Sequence, residues 1–306
     1  MLLPKEELTM ADFFHGFERS LIDVGDVCIN VLKGGKGKEA VLLLHGHPES
    51  HLMWHKIAPR MADKYTVVLT DLRGYGDSSK PKGLADHSNY SKKAMAKDQM
   101  MVMERLGYDQ FYLVGHDRGA RVSHRMITDY PEKIKKCVIM DILPTYDMYE
   151  KTDKNFAMSY WIWFFYIQPY DLPERLLNAD PSYVLRSTFQ RSCAPEKYNA
   201  TFPEEVVKEY ERHYLNPDHI HAVCEDYRAA AGIDLVHDLP DRAKTIETPL
   251  LVMWGKNGTV GRLWDVPSVW KERASNVTDL GVENCGHFIS EEEPEITYNA
   301  IMDFLK

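Results

Sequence analysis

A carboxylate set between two glycines is the first feature of this sequence that could do chemistry. Phe111-Tyr-Leu-Val-Gly115-His116-Asp117-Arg118-Gly119 runs from an apolar strand into Gly-x-Asp-x-Gly and then into a helix. The pattern is that of a nucleophile elbow, with Asp where serine enzymes place Ser. A strand-to-helix turn this sharp strains its central residue, and only small residues at the flanking positions permit the close packing. Asp117 would then stand at the end of the sheet beside a helix N-terminus, where a carboxylate stays ionised and attacks without a base. The ordinary alternative is an Asp that only caps the helix.

Two other segments raise the weight of the chemical reading. His45-Gly46-His47-Pro48 follows a buried strand upstream. In this architecture the backbone N–H groups of His47 and Arg118 face each other as an oxyanion hole. Asn284-Cys285-Gly286-His287-Phe288 follows the short apolar stretch Val277–Val282 near the C-terminus. One of 13 histidines carries little weight by type, but His287 has the position of a base in the chain order nucleophile, acid, base. The acid is less plain. Gly258 occupies one usual station, after Leu250–Trp254, so the carboxylate at the end of Cys137-Val-Ile-Met-Asp141 becomes the candidate that orients His287. Asp141 could instead cap a helix or pair with a cation, and Asp265 is a weaker competitor.

These residues need a scaffold that brings distant loops together. Val27–Leu32, Ala40–His45, Tyr65–Asp71, Phe111–Gly115, Cys137–Asp141 and Leu250–Trp254 are apolar runs. Continuous runs of this kind predict strands covered on both faces, hence a mostly parallel sheet between helices in an α/β fold. Tyr90–Leu106 and Ala120–Tyr130 are long enough for crossover helices. Residues 145–242 hold aromatics, prolines and helical stretches such as Pro203–Tyr214, without a buried-strand run. We read them as a helical cap inserted between two parts of the core, 1–144 and 243–306, and lying over the C-terminal ends of the strands.

Composition narrows the partners. The 306 residues are 44% hydrophobic and 27% charged, as expected of a globular enzyme, and carry a net charge of −9. That field disfavours nucleic acid and anionic lipid, so an anionic substrate needs a local basic site. Five cysteines without a CxxC pair imply reduced thiols and a cytoplasmic setting. The N-terminal stretch lacks a leader layout, and the densest apolar stretch, Tyr160–Ile167, is too short to span a membrane. His51 and His55 are spaced i, i+4, but His45 and His47 beside them belong to the oxyanion turn; no metal is expected. His219, His221 and Cys224 read as cap surface.

With the elbow, the late His and the cap assembled, the chain resembles the fluoroacetate (haloacetate) dehalogenases of the α/β-hydrolase fold. The resemblance is carried by Gly115–Arg125, Asp141–Tyr146, Asn155–Glu174, Cys224–Ala230 and Cys285–Phe288. It implies Asp117 as nucleophile, His287 as base and Asp141 as its orienter. It implies Arg118 and Arg121 as the grip on the substrate carboxylate, and Trp163 and Tyr227 as halide donors. It also implies a small 2-halo carboxylate as substrate, an aspartyl ester as intermediate, no cofactor, and a homodimer. On residues alone, the paired arginines could be a solvated helix face and the aromatics a cap core, which is the reading for Trp161, Phe164 and Phe165.

One position departs from the family. Where a halide-binding His precedes the Trp, this chain has Ile162. A lost charge-assisted hydrogen bond is worth roughly 1.5–3 kcal/mol, hence about tenfold or more in rate. Fluoride, small and strongly hydrated, depends on such donors most, so weakened defluorination is expected. The rival within the fold is an epoxide hydrolase using the same Asp-His-Asp triad, with Tyr160 or Tyr166 joining Tyr227. Two arginines beside the nucleophile have no use with a neutral epoxide. A haloalkane dehalogenase would carry Trp where Arg118 stands.

Overall fold

The computed structural model describes residues 13–306. The N-terminal stretch up to residue 12, read above for a leader, lies outside them. Eight strands form one sheet: β1 (Glu18–Asp23), β2 (Cys28–Gly34), β3 (Ala40–Leu44), β4 (Thr66–Thr70), β5 (Phe111–His116), β6 (Ile134–Met140), β7 (Leu250–Gly255) and β8 (Val277–Val282). Their spatial order is β1-β2-β4-β3-β5-β6-β7-β8. β1 pairs antiparallel with β2, and β2 antiparallel with β4; all later pairs are parallel. The sheet and its helices make the α/β-hydrolase architecture.

Every residue of β3 and β4 is buried. Helices cover both faces, so the strands read as unbroken apolar runs. A fully buried aliphatic side chain is worth about 1.5–3 kcal/mol, and Val41–Leu44 all reach 0% exposure. β1 was not legible, because five of its six residues are exposed on an edge. β6 begins at Ile134, earlier than its apolar run, since half-buried Lys135 and Lys136 interrupt the pattern.

Two helices pack centrally, α1 (Lys92–Arg105) and α2 (Asp117–Asp129). Residues 145–243 contain helices and 3-10 turns and, among the described residues, no strand. The cap helices that shape the site are α3 (Trp161–Phe165), α4 (Pro181–Ser192), α5 (Glu204–Tyr214) and α6 (Pro217–Ala231). The expectation that His219 and Cys224 lie on the cap surface is wrong. Both are buried, because α6 is the inner helix of the cap and packs onto the core, where His219 Nδ1 meets the Gly74 carbonyl at 3.1 Å. His221 alone of the three is half-exposed.

The parallel register sets the site. Gly115 lies level with Leu44 on one side and Ile139 on the other. The loops that leave β3, β5 and β6 therefore emerge side by side, and the loop after β8 returns toward them.

Candidate active site

Asp117 is the first residue of α2 and has φ +44°, the left-handed region that only structural context makes an Asp adopt. The flanking glycines explain how. A Cβ on Gly119 would come within 2.5 Å of the Leu44 carbonyl oxygen, and one on Gly115 within 2.3 Å of Ser123 Oγ. Helix and strands thus pack closer than any side chain allows, and Asp117 is forced out at their junction. Its Oδ1 accepts from the His47 N–H at 2.9 Å. The backbone donor expected of an oxyanion hole therefore already holds one oxygen of the nucleophile.

His287 stands with Nε2 3.9 Å from Asp117 Oδ2 and with Nδ1 2.6 Å from Asp141 Oδ2. Asp141 is itself held by the Gly255 N–H at 3.1 Å. Burial pushes the Asp117 carboxyl up, but the His287, Arg118 and Arg121 charges outweigh it and hold it far below the usual carboxylate range. Burial opposes charge on His287 too, yet Asp141 and Asp117 raise it to about 9. The resting site is a carboxylate–imidazolium pair. Asp265 lies elsewhere, capping a short helix at exposed Ser268.

The two arginines differ. Arg118 is fully buried, and its Nε and Nη2 bind the Asp226 carboxylate, each at 2.7 Å. It is not the open fork that the sequence implied: only Nη1 is left without a partner. Asp226 also bonds Lys92, and accepts from the Tyr75 hydroxyl at 2.7 Å. Arg121 is buried and forms no ion pair among the described residues. Its Nη1 donates to the Leu143 carbonyl and Thr145 Oγ1, both at 3.0 Å, and its Nε has no partner. Burial and the adjoining Arg118 charge pull its guanidinium down.

Trp163, on α3, is completely buried under the Arg121 guanidinium, 4.5 Å from its ring, and its Nε1 lacks a partner. Tyr227, on α6, stacks likewise on Arg118 at 4.3 Å. A cavity of about 320 Å3 opens above Asp117 and His287, with His47, Tyr227 and Ile162 in its wall. Ile162 thus places an aliphatic surface on the pocket. Tyr160 borders the same cavity, whereas Tyr166 lies behind it, its hydroxyl unpartnered and its ring 5.1 Å from that of Tyr227. Exposed Trp161 lines the same cavity, contrary to the reading of it as cap core.

Sequence reasoning missed three groups. Asp226 adjoins Tyr227 in the quoted Cys224–Ala230 segment, but nothing local tells a substrate anchor from the carboxylate that compensates Arg118. Tyr214 donates to His47 Nε2 at 2.5 Å, the imidazole being neutral because burial lowers it to about 3. Glu49 and His116 form the third. His116 Nε2 meets the carbonyl of His287 at 2.8 Å, and a carbonyl only accepts, so Nε2 carries the proton. Burial keeps His116 neutral, lowering it to about 4, so its Nδ1 accepts from Glu49 Oε2, 3.1 Å away. Glu49 is accordingly a protonated acid, raised to about 7 by burial. Only its place in His47-Pro48-Glu49 could have flagged it.

A family model for the α/β-hydrolase fold matches residues 39–294. A fluoroacetate dehalogenase from Burkholderia sp is 43% identical over 95% of this chain and 95% of that protein. A soluble epoxide hydrolase from Corynebacterium sp. (strain C12) is 31% identical, over 86% of this chain and 89% of that one. A crystal structure of an α/β hydrolase from Nostoc sp PCC 7120 superposes with a TM-score of 0.92 at 51% identity, covering 95% of this chain and 98% of that one.

Proposed function

This chain belongs to the haloacetate dehalogenase family of the α/β-hydrolase fold, and we propose that it hydrolyses 2-halo carboxylates through an ester on Asp117. One observation carries the reading. Beside an ionised nucleophile, three buried donors lack partners: Arg118 Nη1, Arg121 Nε and Trp163 Nε1. An unpaired buried donor costs about 1–3 kcal/mol. A carboxylate together with a departing halide supplies what all three lack. A neutral epoxide would leave Arg121 without a counter-charge, which weighs against the epoxide reading despite the unpartnered Tyr166 hydroxyl.

In this scheme the substrate carboxylate sits against Arg118 and Arg121, and Asp117 Oδ2 attacks the halogen-bearing carbon from behind. The carbon–halogen pair of electrons leaves with the halide toward Trp163 and Tyr227. Esterification removes the Asp117 charge, one of the influences that hold His287 protonated. His287 then releases its proton and becomes the base for water. Water adds to the ester carbonyl, whose oxygen gains charge beside the His47 N–H and the helix N-terminus. Asp141 holds the imidazolium that forms. Release of the hydroxy acid restores Asp117, and no cofactor takes part.

Halide release from chloroacetate, alongside diol formation from styrene oxide, separates the two hydrolase readings. Intact-mass analysis of His287→Gln after mixing with chloroacetate should show one carboxymethyl adduct on Asp117. An unmodified chain with no halide released would defeat the proposal.

A further inference from the structure

The cavity is larger than a haloacetate requires. At about 320 Å3 it falls within the range of roughly 300–1,000 Å3 typical of pockets for much bigger ligands. Its inner end holds Asp117, His287 and Tyr227; its outer end is built differently. Ser187, Thr188, Arg191 and Ser192 of α4 line it, at spacings that put them on one helix face. Asn257 and Arg262 line the same cavity.

The outer end is also cationic in a chain of net charge −9. Among the described residues, Asp117 is the only carboxylate in the cavity lining, against Arg191 and Arg262. Neither guanidinium forms an ion pair among the described residues. Arg191 lies 5.9 Å over the Trp161 ring, and Arg262 turns Nε toward the Gly258 carbonyl at 3.4 Å. Position 258, on the same rim, is a glycine and adds no negative charge. Burial and the Asp141 and Asp117 charges raise the Tyr160 hydroxyl, and Arg121 and Arg262 both oppose them, so one cation of each pair lies within reach of that ring.

We propose that Arg191 and Arg262 form a second anion subsite that takes the distal carboxylate of a 2-halo dicarboxylate, whose first carboxylate lies against Arg118 and Arg121. The proposal rests on the dehalogenase reading for its chemistry, which is unchanged. Water supplies the hydroxyl oxygen, the halide leaves with its bonding electrons, and one proton passes through His287 to solvent. The product is a 2-hydroxy dicarboxylate.

Binding tests the subsite without turnover. Calorimetry would compare succinate, glutarate and adipate with butanoate, pentanoate and hexanoate on the wild-type protein and on Arg191→Gln/Arg262→Gln. At least one diacid should bind about tenfold more tightly than its monoacid of equal length, and the double variant should lose that margin. Equal affinity for diacid and monoacid in the wild type would overturn the subsite, as would a margin that survives in the variant. Halide release from the 2-chloro derivatives is the second arm: kcat/KM should favour the chlorodiacid by a similar factor. Equal loss on diacids and monoacids in the variant would reduce the arginines to general steering and sink the subsite. A diacid preference in binding with no halide released from any acid would leave the subsite standing and fell the dehalogenase reading instead.

Discussion

Asp117 and His287 carry opposite charges in the resting site, and the proposed reaction changes both. Attack needs Asp117 ionised, which its depressed pKa secures throughout the neutral range. Ester hydrolysis needs His287 neutral, although in the resting protein it titrates at about 9. Once the ester forms, the attraction of Asp117 is gone and the imidazole titrates lower. Formation of the ester should therefore be flat between about pH 6 and 9, while its breakdown rises with pH to a midpoint below 9. Quenched-flow with intact-mass detection reads the two steps separately; a breakdown rate independent of pH would contradict the charge logic. Ile162 makes a second prediction at this scale. Its aliphatic surface faces the cavity where the family has an imidazole. Ile162→His should raise the fluoroacetate rate by about tenfold relative to chloroacetate. An unchanged ratio of the two rates would remove halide donation as the reason for the departure.

Elements hold these residues through buried charge as much as through apolar packing. Asp226 on α6 joins Arg118 on α2, Lys92 on α1 and the Tyr75 hydroxyl, so the cap's inner helix is fastened to two core helices at one carboxylate. Removing one partner of a buried ion cluster strands the others. Asp226→Asn should destabilise the fold by about 3–5 kcal/mol, read by urea unfolding; a loss under 1 kcal/mol would show the cluster to be self-compensating. This fastening also marks where sequence reasoning stops. β3, β4, β5 and β7 were legible because a parallel strand buried on both faces writes a continuous apolar run. Asp117, Asp141 and His287 were legible because chain order and strand ends fix their stations, and the structure brings the three together. β1 was not, since an exposed edge strand needs no apolar run. The burial of His219 and Cys224 was missed because a histidine pair reads as surface, whereas α6 faces the core and His219 finds a carbonyl there. Pairings between distant charges, such as Arg118 with Asp226, leave no periodic trace at all.

Across the whole molecule the buried acids and bases set how stability varies with pH. Glu49 is raised to about 7 by burial, its buried neighbour Glu291 is raised too, and His287 is raised to about 9 by Asp141 and Asp117 acting against burial. Each binds its proton more tightly folded than unfolded. Their contribution is full below the unfolded values and is lost as pH rises through the folded ones. For Glu49 that window runs from 4.5 to about 7, and for His287 from 6.5 to about 9. Asp117, Asp226 and Asp71 are depressed, so their contribution is present above 3.8 and lost as pH falls. Maximum stability should therefore lie on the mildly acidic side, with a decline toward alkaline pH of up to about 1.4 kcal/mol per pH unit for each group that titrates. A net charge of −9 adds self-repulsion in the same direction, so the wild-type curve alone does not separate the two sources. Glu49→Gln does. It keeps a donor for His116 Nδ1 but has no proton to lose, so its curve should be flatter than the wild type below pH 7 by the equivalent of one proton, yet fall with the wild type above it. Chemical unfolding at half-unit pH steps gives the slopes. Identical slopes below pH 7 would assign the decline to general charge repulsion and remove the buried acid from the account.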